Sequence, residues 1–176
     1  MERENHDLER LRKQYAPLKN KYKLPDFTKL NEEFAIEKIQ EKETEFLLRE
    51  VRLLISDRIA GFLRFFELFL NPSMAPIFIL SALKHLNPKN KESIERVYRE
   101  LVVFELKSIN LDTSYNELNE AEFIKEITRR WQEIKGDIGE ISSLLQKIHT
   151  KEREKKGKYF GWGVNNKNNI VNILIL

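Results

Sequence analysis

The segment 147–163, KIHTKEREKKGKYFGWG, brings basic and aromatic side chains together. Basic side chains can neutralise phosphates, and aromatic rings can stack on unpaired bases, so the segment predicts a binding site for RNA or single-stranded DNA. The alternative is that the lysines solvate a helix end, that Glu152 and Glu154 dilute the charge, and that the aromatic rings fold back onto the protein. The predicted nucleic-acid contacts are Lys147, Lys151, Arg153, Lys155, Lys156, Lys158, Tyr159, Phe160 and Trp162.

Arg58 and Glu105 are two charged residues that lie among apolar residues in the helical pattern of the sequence. Helical periodicity places each of them on the apolar face of its own helix. An isolated buried charge costs about 2–5 kcal/mol even after relaxation, so each residue needs a partner. We therefore predict that Arg58 and Glu105 form an ion pair across the core. We expect this pair to be structural and to fix helix register; the alternative is that it lines a polar ligand pocket.

Catalytic and metal-binding patterns are absent from the sequence. His6, His85 and His149 are far apart and fit no zinc or di-iron spacing, and the chain has no cysteine. There is no nucleophile elbow, no phosphate-binding loop and no dinucleotide-binding motif. The sequence therefore predicts no metal and no cofactor, and it favours a non-catalytic protein over an enzyme.

Composition indicates an all-α protein. The chain has 176 residues, 34% of them charged, with only six glycines and five prolines, which suits helices with solvated faces. Seven lysine or arginine residues and two glutamates follow Gln146, so the excess of positive charge lies at the C-terminal end. The N-terminus is charged and has no apolar signal region, so we expect a cytoplasmic setting.

Helix boundaries are marked by asparagine–proline pairs and by changes in polarity. One long helix is predicted from about residue 35 to residue 70, exposed in its first half and central to the core in its second. Asn71-Pro72 and Asn87-Pro88 mark two corners, which separate predicted helices at 74–86 and 93–111. A last helix is predicted to start after a cap at Ser114 or at Asn119 and to run to about residue 156, weakened near its glycines.

The N-terminal segment 1–24 carries the seam of a helix that packs on another helix. Its apolar residues recur at spacings of three and four, and Pro17 predicts a kink or two short helices. We expect the seam to pack on this chain's own bundle; the alternative is self-association or a protein partner. The seam consists of Leu8, Leu11, Tyr15, Leu18 and Tyr22.

The apolar stretch 68–90 is interpreted as a core helix between two corners. Its longest apolar run is too short to span a bilayer, so a membrane-spanning hairpin is not expected. The predicted fold is an irregular bundle of five or six helices with a long central helix, in one domain at 1–156, followed by a basic and flexible arm at 157–176. The predicted core comprises Phe62, Phe65, Phe69, Ile77, Ile79, Leu80, Leu83, Tyr98, Val102 and Trp131.

These patterns favour a non-catalytic intracellular adaptor. Its basic C-terminal arm is expected to contact an anionic partner, with RNA or single-stranded DNA as the first candidate. A protein–protein scaffold or oligomerisation module without nucleic-acid binding is the second hypothesis. An enzyme that uses a pocket near Arg58 and Glu105 is the third.

Overall fold

The structure is a computed structural model that describes residues 2–42 and 44–160, and side chains over residues 6–42 and 44–154. These residues form six α-helices, two 3-10 turns and no strand. The predicted irregular helical bundle is therefore confirmed. The helices are α1 (Glu2–Tyr22), α2 (Phe27–Phe34), α3 (Leu47–Leu70), α4 (Ile77–Leu83), α5 (Pro88–Asp112) and α6 (Glu117–Phe160), and the turns are Ile36–Ile39 and Pro72–Met74.

The centre of the bundle is the packing of α3 against α5 and α6. The buried stripe of α5 recurs at spacings of three and four, as the 3.6-residue repeat of a helix requires. It meets a buried stripe of α3. The buried residues of α5 are Ile94, Val97, Leu101, Phe104 and Ser108. Those of α3 are Leu47, Leu48, Val51, Arg52, Ile55, Ser56, Ile59, Phe66 and Phe69.

The predicted long helix from residue 35 to residue 70 is wrong in its first half. Ala35 ends α2 in a left-handed conformation with a φ of 53°, and its N–H donates to the Asn31 carbonyl. The Asn31 side chain then accepts a hydrogen bond from the Glu37 N–H, which stabilises the following turn. Residues 40–45 are polar on every face, so a helix there would bury no apolar surface.

The N-terminal seam packs on this chain. Leu11 and Tyr15 are 3% and 1% exposed and belong to the core. The Tyr15 hydroxyl donates to the Pro25 carbonyl at 2.8 Å, which ties α1 to the connection that follows it. Helix α1 is continuous through Pro17, so the prediction of two short helices is wrong.

Asparagine side chains cap the N-termini of α5 and α6. The Asn87 side chain accepts from the Asn90 N–H at 2.8 Å and Pro88 opens α5, as the second asparagine–proline corner predicts. Asn116 caps α6 by accepting from the Asn119 N–H. Helix α6 is described as far as Phe160, beyond the predicted end of the domain, and the remainder of the predicted arm, 161–176, lies outside the described residues.

The predicted core is confirmed in part. Phe69, Ile79 and Trp131 are buried, whereas Ile77 is 81% exposed and Leu80 is 41% exposed, so the last two predictions are wrong. The physical reason is that α4 has only seven residues and lies at the end of the bundle, where one face meets the core and the other meets no helix. The five other predicted core residues, Phe62, Phe65, Leu83, Tyr98 and Val102, are half-buried. No helix among the described residues is long and apolar enough to cross a membrane.

Candidate functional site

The C-terminal half of α6 is held against the bundle by buried isoleucines and by contacts to α4. Ile141 and Ile148 are 4% and 9% exposed, and they set the inward face of the helix. On the same face, the Glu152 carboxylate accepts a hydrogen bond from the Ser81 hydroxyl and lies 3.2 Å from His85 Nε2. Glu152 is therefore engaged with α4 and with the residues that follow it.

The predicted nucleic-acid contacts that the structure describes lie on the solvent side of this helix. Lys147, Lys151 and Arg153 are exposed, and their side chains form no hydrogen bond or ion pair with any described residue. Because Lys147 and Lys151 are four residues apart, they share one helix face and are separated by about 6 Å along the axis. The backbone of the next contacts lies in α6, but their side chains fall outside the described part: Lys155, Lys156, Lys158, Tyr159 and Phe160. Trp162 lies outside it altogether.

Arg58 and Glu105 do not meet in the structure. Arg58 is exposed, and its guanidinium carbon lies 5.8 Å from the centre of the Trp131 ring, a cation–π arrangement. Glu105 is half-buried, and its carboxylate forms no hydrogen bond or ion pair within residues 6–42 and 44–154. The prediction of a buried Arg58 is wrong. Apolar residues lie on more than one side of α3, so their positions in the sequence do not identify the face of the helix that packs inward.

The buried arginine of the bundle is Arg52, which is 0% exposed. Its Nε donates to Glu120 Oε2 at 2.7 Å, and Glu120 is also fully buried. Its two terminal nitrogens donate to Ser108 Oγ at 2.7 Å and to Asp112 Oδ1 at 2.6 Å. The Ser108 hydroxyl also contacts Ser56 Oγ at 2.7 Å. We call these five residues the Arg52 network; they join α3, α5 and the start of α6.

The electrostatics of the Arg52 network favour a structural role. Burial raises the pKa of Glu120, while the charge and hydrogen bond of Arg52 oppose that shift. Glu120 Oε1 has no hydrogen-bond partner, but the pair is enclosed, so no substrate-sized opening reaches it. In the sequence, Arg52 and Ser56 are four positions apart in α3, as Ser108 and Asp112 are in α5, but both helices carry many other polar residues, so this spacing does not single out the network.

Glu105 lines a shallow groove between α3 and α5, of about 270 Å³ and open to solvent. Leu63, Arg64, Tyr98 and Val102 also line it, and Glu105 Oε2 is buried there without a hydrogen-bond partner. One carboxylate in an open groove lacks the converging polar groups that define a catalytic pocket. Within the described residues, no cluster of histidine, aspartate and glutamate could hold a metal ion.

Hydrogen bonds to the Glu33 carboxylate link α2 to α6. The carboxylate accepts hydrogen bonds from Trp131 Nε1 at 3.0 Å, Gln132 Nε2 at 2.8 Å and Lys135 Nζ at 2.9 Å. Burial alone would raise the pKa of Glu33, but the three donors outweigh it and hold the pKa below its ordinary value of 4.5. The ionised carboxylate is therefore the form that stabilises the fold.

Replacing Glu33 with alanine is expected to lower the free energy of unfolding by about 2 kcal/mol, because the buried Trp131 N–H loses its acceptor. A depressed carboxylate pKa contributes stability above its unfolded value, and this contribution is lost as the pH falls through the folded pKa. Urea unfolding should therefore show that the deficit shrinks below pH 4.5. Glu32→Ala, at an exposed neighbour, is the control; a deficit equal for both variants would contradict the role of Glu33.

Comparison with known proteins gives no relative from which a function could be carried over. No family model, no curated protein and no solved structure shows a significant match to the chain. The function must therefore be argued from the surfaces that the fold presents.

Proposed function

We propose that this chain is a non-catalytic helical binding module that holds an anionic partner at the basic end of α6, and that the partner is single-stranded RNA or DNA. The observation that carries the proposal is a set of exposed cations near the C-terminal end of α6 whose side chains pair with no described residue: Lys147 and Lys151 on one face, and Arg153 on another. Elsewhere on the surface many lysines and arginines are matched by carboxylates: Lys42 by Glu50, Arg96 by Asp137 and Lys107 by Glu126.

The contact between Glu152 and α4 strengthens this proposal. Of the two glutamates in the basic segment, Glu152 accepts from the Ser81 hydroxyl and lies beside His85. The same contacts hold the helix in place, and a pre-positioned set of cations loses less conformational entropy on binding a polyanion. The sequence continues the spacing at Lys155 and Lys158, which adds two lysine positions to the helix face of Lys147 and Lys151.

Single-stranded nucleic acid fits this arrangement better than a duplex. The basic residues of α6 are followed directly by Tyr159, Phe160 and Trp162, and aromatic rings stack on bases only where the bases are unpaired. Phosphate neutralisation by the lysines supplies affinity without sequence preference. The expected activity is therefore salt-sensitive binding of single strands with little sequence selectivity.

A protein–protein scaffold is the second candidate, and the observation that favours it lies on α5. Val103, Leu106 and Ile109 are 49%, 60% and 54% exposed, at a spacing of three residues on one side of the helix. An apolar stripe of this kind is typical of a contact surface. The seam residues Leu11 and Tyr15 are less suited to this role, because they are already buried in the bundle.

Charge reversal on α6 tests the nucleic-acid proposal. Lys147→Glu/Lys151→Glu/Arg153→Glu should weaken binding of a labelled single-stranded RNA by about tenfold or more in a gel-shift series, since several phosphate contacts are lost together. The matched control is Lys13→Glu/Lys23→Glu/Lys38→Glu, which makes the same change in net charge at exposed and unpaired lysines of other elements. Equal losses in the two variants would show a non-specific effect of net charge and would contradict a site on α6.

A further inference from the structure

The end of the bundle formed by the α3–α4 connection exposes a cluster of large apolar side chains. Met74 is 85% exposed and Ile77 is 81% exposed, and these are the highest values among the exposed apolar side chains of the described residues. Phe78, Leu80 and Leu70 are 49%, 41% and 40% exposed. We call Leu70, Met74, Ile77, Phe78 and Leu80 the apolar tip. Monomeric proteins rarely leave a contiguous group of this kind in water, so the tip indicates a contact surface.

The apolar tip is an outward face rather than a defect of packing. In α4, Ile79 and Ala82 are 0% and 4% exposed and face the core, which anchors the helix. Ile77 and Leu80 lie three residues apart on the other side of the same helix. Lys84 follows at a spacing of four, so the apolar face of α4 ends in a cation.

Unpaired cations follow the apolar tip in the sequence. Lys84, Lys89 and Lys91 are exposed, and their side chains form no hydrogen bond or ion pair with any part of the chain that the structure describes. Lys89 and Lys91 occupy the first turn of α5, which has no acidic residue and where the helix dipole disfavours positive charge. Their presence there is not explained by helix stability, and it favours an anionic surface in front of the tip. The nearby exposed carboxylates are Glu67 and Glu92.

We propose that the apolar tip inserts into the headgroup region of an anionic lipid bilayer, with Lys84, Lys89 and Lys91 facing the lipid phosphates. Shallow insertion of large apolar side chains together with basic residues is the usual mode of peripheral membrane binding. A second copy of the chain is a poorer occupant, because two tips brought together would also bring their lysines together. This inference goes beyond the nucleic-acid proposal and rests on different side chains.

Vesicle co-sedimentation of the full chain tests the inference. The protein should bind vesicles that contain phosphatidylserine and phosphatidylcholine, and bind phosphatidylcholine vesicles about tenfold or more weakly, as expected for several lysines near a charged membrane. Ile77→Asp should weaken binding to the anionic vesicles by about tenfold or more, since the variant removes a large apolar side chain from the interface. The matched control is Ile109→Asp, an exposed isoleucine near the far end of α5, which should bind as the wild type does.

The charge contribution is tested separately by Lys84→Glu/Lys89→Glu/Lys91→Glu. This variant should lose the preference for anionic vesicles while it keeps single-stranded RNA binding, so failure of one proposal can be told from failure of the other. Circular dichroism should show the wild-type helix content for all of these variants, because every substituted side chain is exposed.

Three results would overturn the inference. The first is anionic vesicle binding that is the same for Ile77→Asp and the wild type. The second is a concentration-dependent dimer that Ile77→Asp dissociates, with no vesicle binding by the wild type, since the occupant would then be a second copy. The third is vesicle binding by Ile173→Asp/Ile175→Asp but not by the wild type, which would show that the chain's own C-terminal segment covers the tip.

Discussion

Replacing Arg52 with methionine is expected to lower the free energy of unfolding by about 3–5 kcal/mol, the range typical for removing one partner of a buried ion pair. The loss has a specific cause: Glu120, which is fully buried, would lose its counterion and hydrogen-bond donor, and Ser108 and Asp112 would each lose a donor. Urea denaturation monitored by circular dichroism measures this directly.

Arg58→Met is the matched control for this experiment, because it makes the same substitution six residues further along α3. Arg58 is exposed and contacts the Trp131 ring, so the expected loss is only about 0.5–1 kcal/mol. The combined variant Arg52→Met/Glu120→Leu should recover at least about 1 kcal/mol relative to the sum of its single variants, because neither charge is then left alone. Similar losses for Arg52→Met and Arg58→Met would contradict the Arg52 network.

Trp131→Ala should lower the free energy of unfolding by about 3–5 kcal/mol, as large-to-small changes of a buried aromatic residue do. Trp131 is 1% exposed, and its ring lies 5.1 Å from that of Phe34 and 6.1 Å from that of Phe62. It therefore joins α2, α3 and α6, and its N–H donates to Glu33. The substitution opens a cavity at the junction of three helices and removes this hydrogen bond.

Trp131→Phe separates the two contributions of the tryptophan. It keeps most of the apolar contact but leaves Glu33 without the indole donor, so the expected loss is about 1–2 kcal/mol. Thermal unfolding of the two variants should therefore give clearly different midpoints. Equal midpoints for Trp131→Phe and Trp131→Ala would mean that ring packing contributes nothing, which would contradict the placement of α2 against α6.

The fold class could be predicted because its signals are local. Asn87 and Pro88 form a cap and a first turn that any helix beginning there would use, and the spacing of Ile94, Val97 and Leu101 is fixed by the helical repeat. Trp131 and Phe69 were correctly placed in the core on the same periodicity. These features depend on residues within a few positions of one another.

The charged pair could not be predicted because its signal is not local. In α3, apolar residues surround both Arg52 and Arg58, and only the packing of α5 and α6 determines which arginine is enclosed. Glu120 lies in the first turn of α6, where a glutamate is also favoured by the helix dipole, so its burial leaves no distinct mark in the sequence. The same limit applies to Ile77, whose apolar character predicts burial although α4 lies at an open end of the bundle.

The different environments of the two glutamates in the basic segment are likewise visible only in the structure. From the sequence, Glu152 and Glu154 weaken the charge of the segment equally. The structure separates them, because Glu152 contacts Ser81 of α4 and His85 just after it, whereas Glu154 is exposed. One glutamate of the segment is therefore engaged with the bundle, and the other lies in solvent.

The most direct test of nucleic-acid binding at α6 is the salt dependence of RNA affinity, measured by fluorescence anisotropy with a labelled single-stranded RNA. For single strands the logarithm of the binding constant falls with the logarithm of the salt concentration by about 0.7 for each phosphate neutralised. If Lys147, Lys151 and Arg153 each contact a phosphate, their combined reversal to glutamate should make this slope shallower by about 2. A slope unchanged by the reversal, or no RNA binding by the wild type at low salt, would contradict the proposed function.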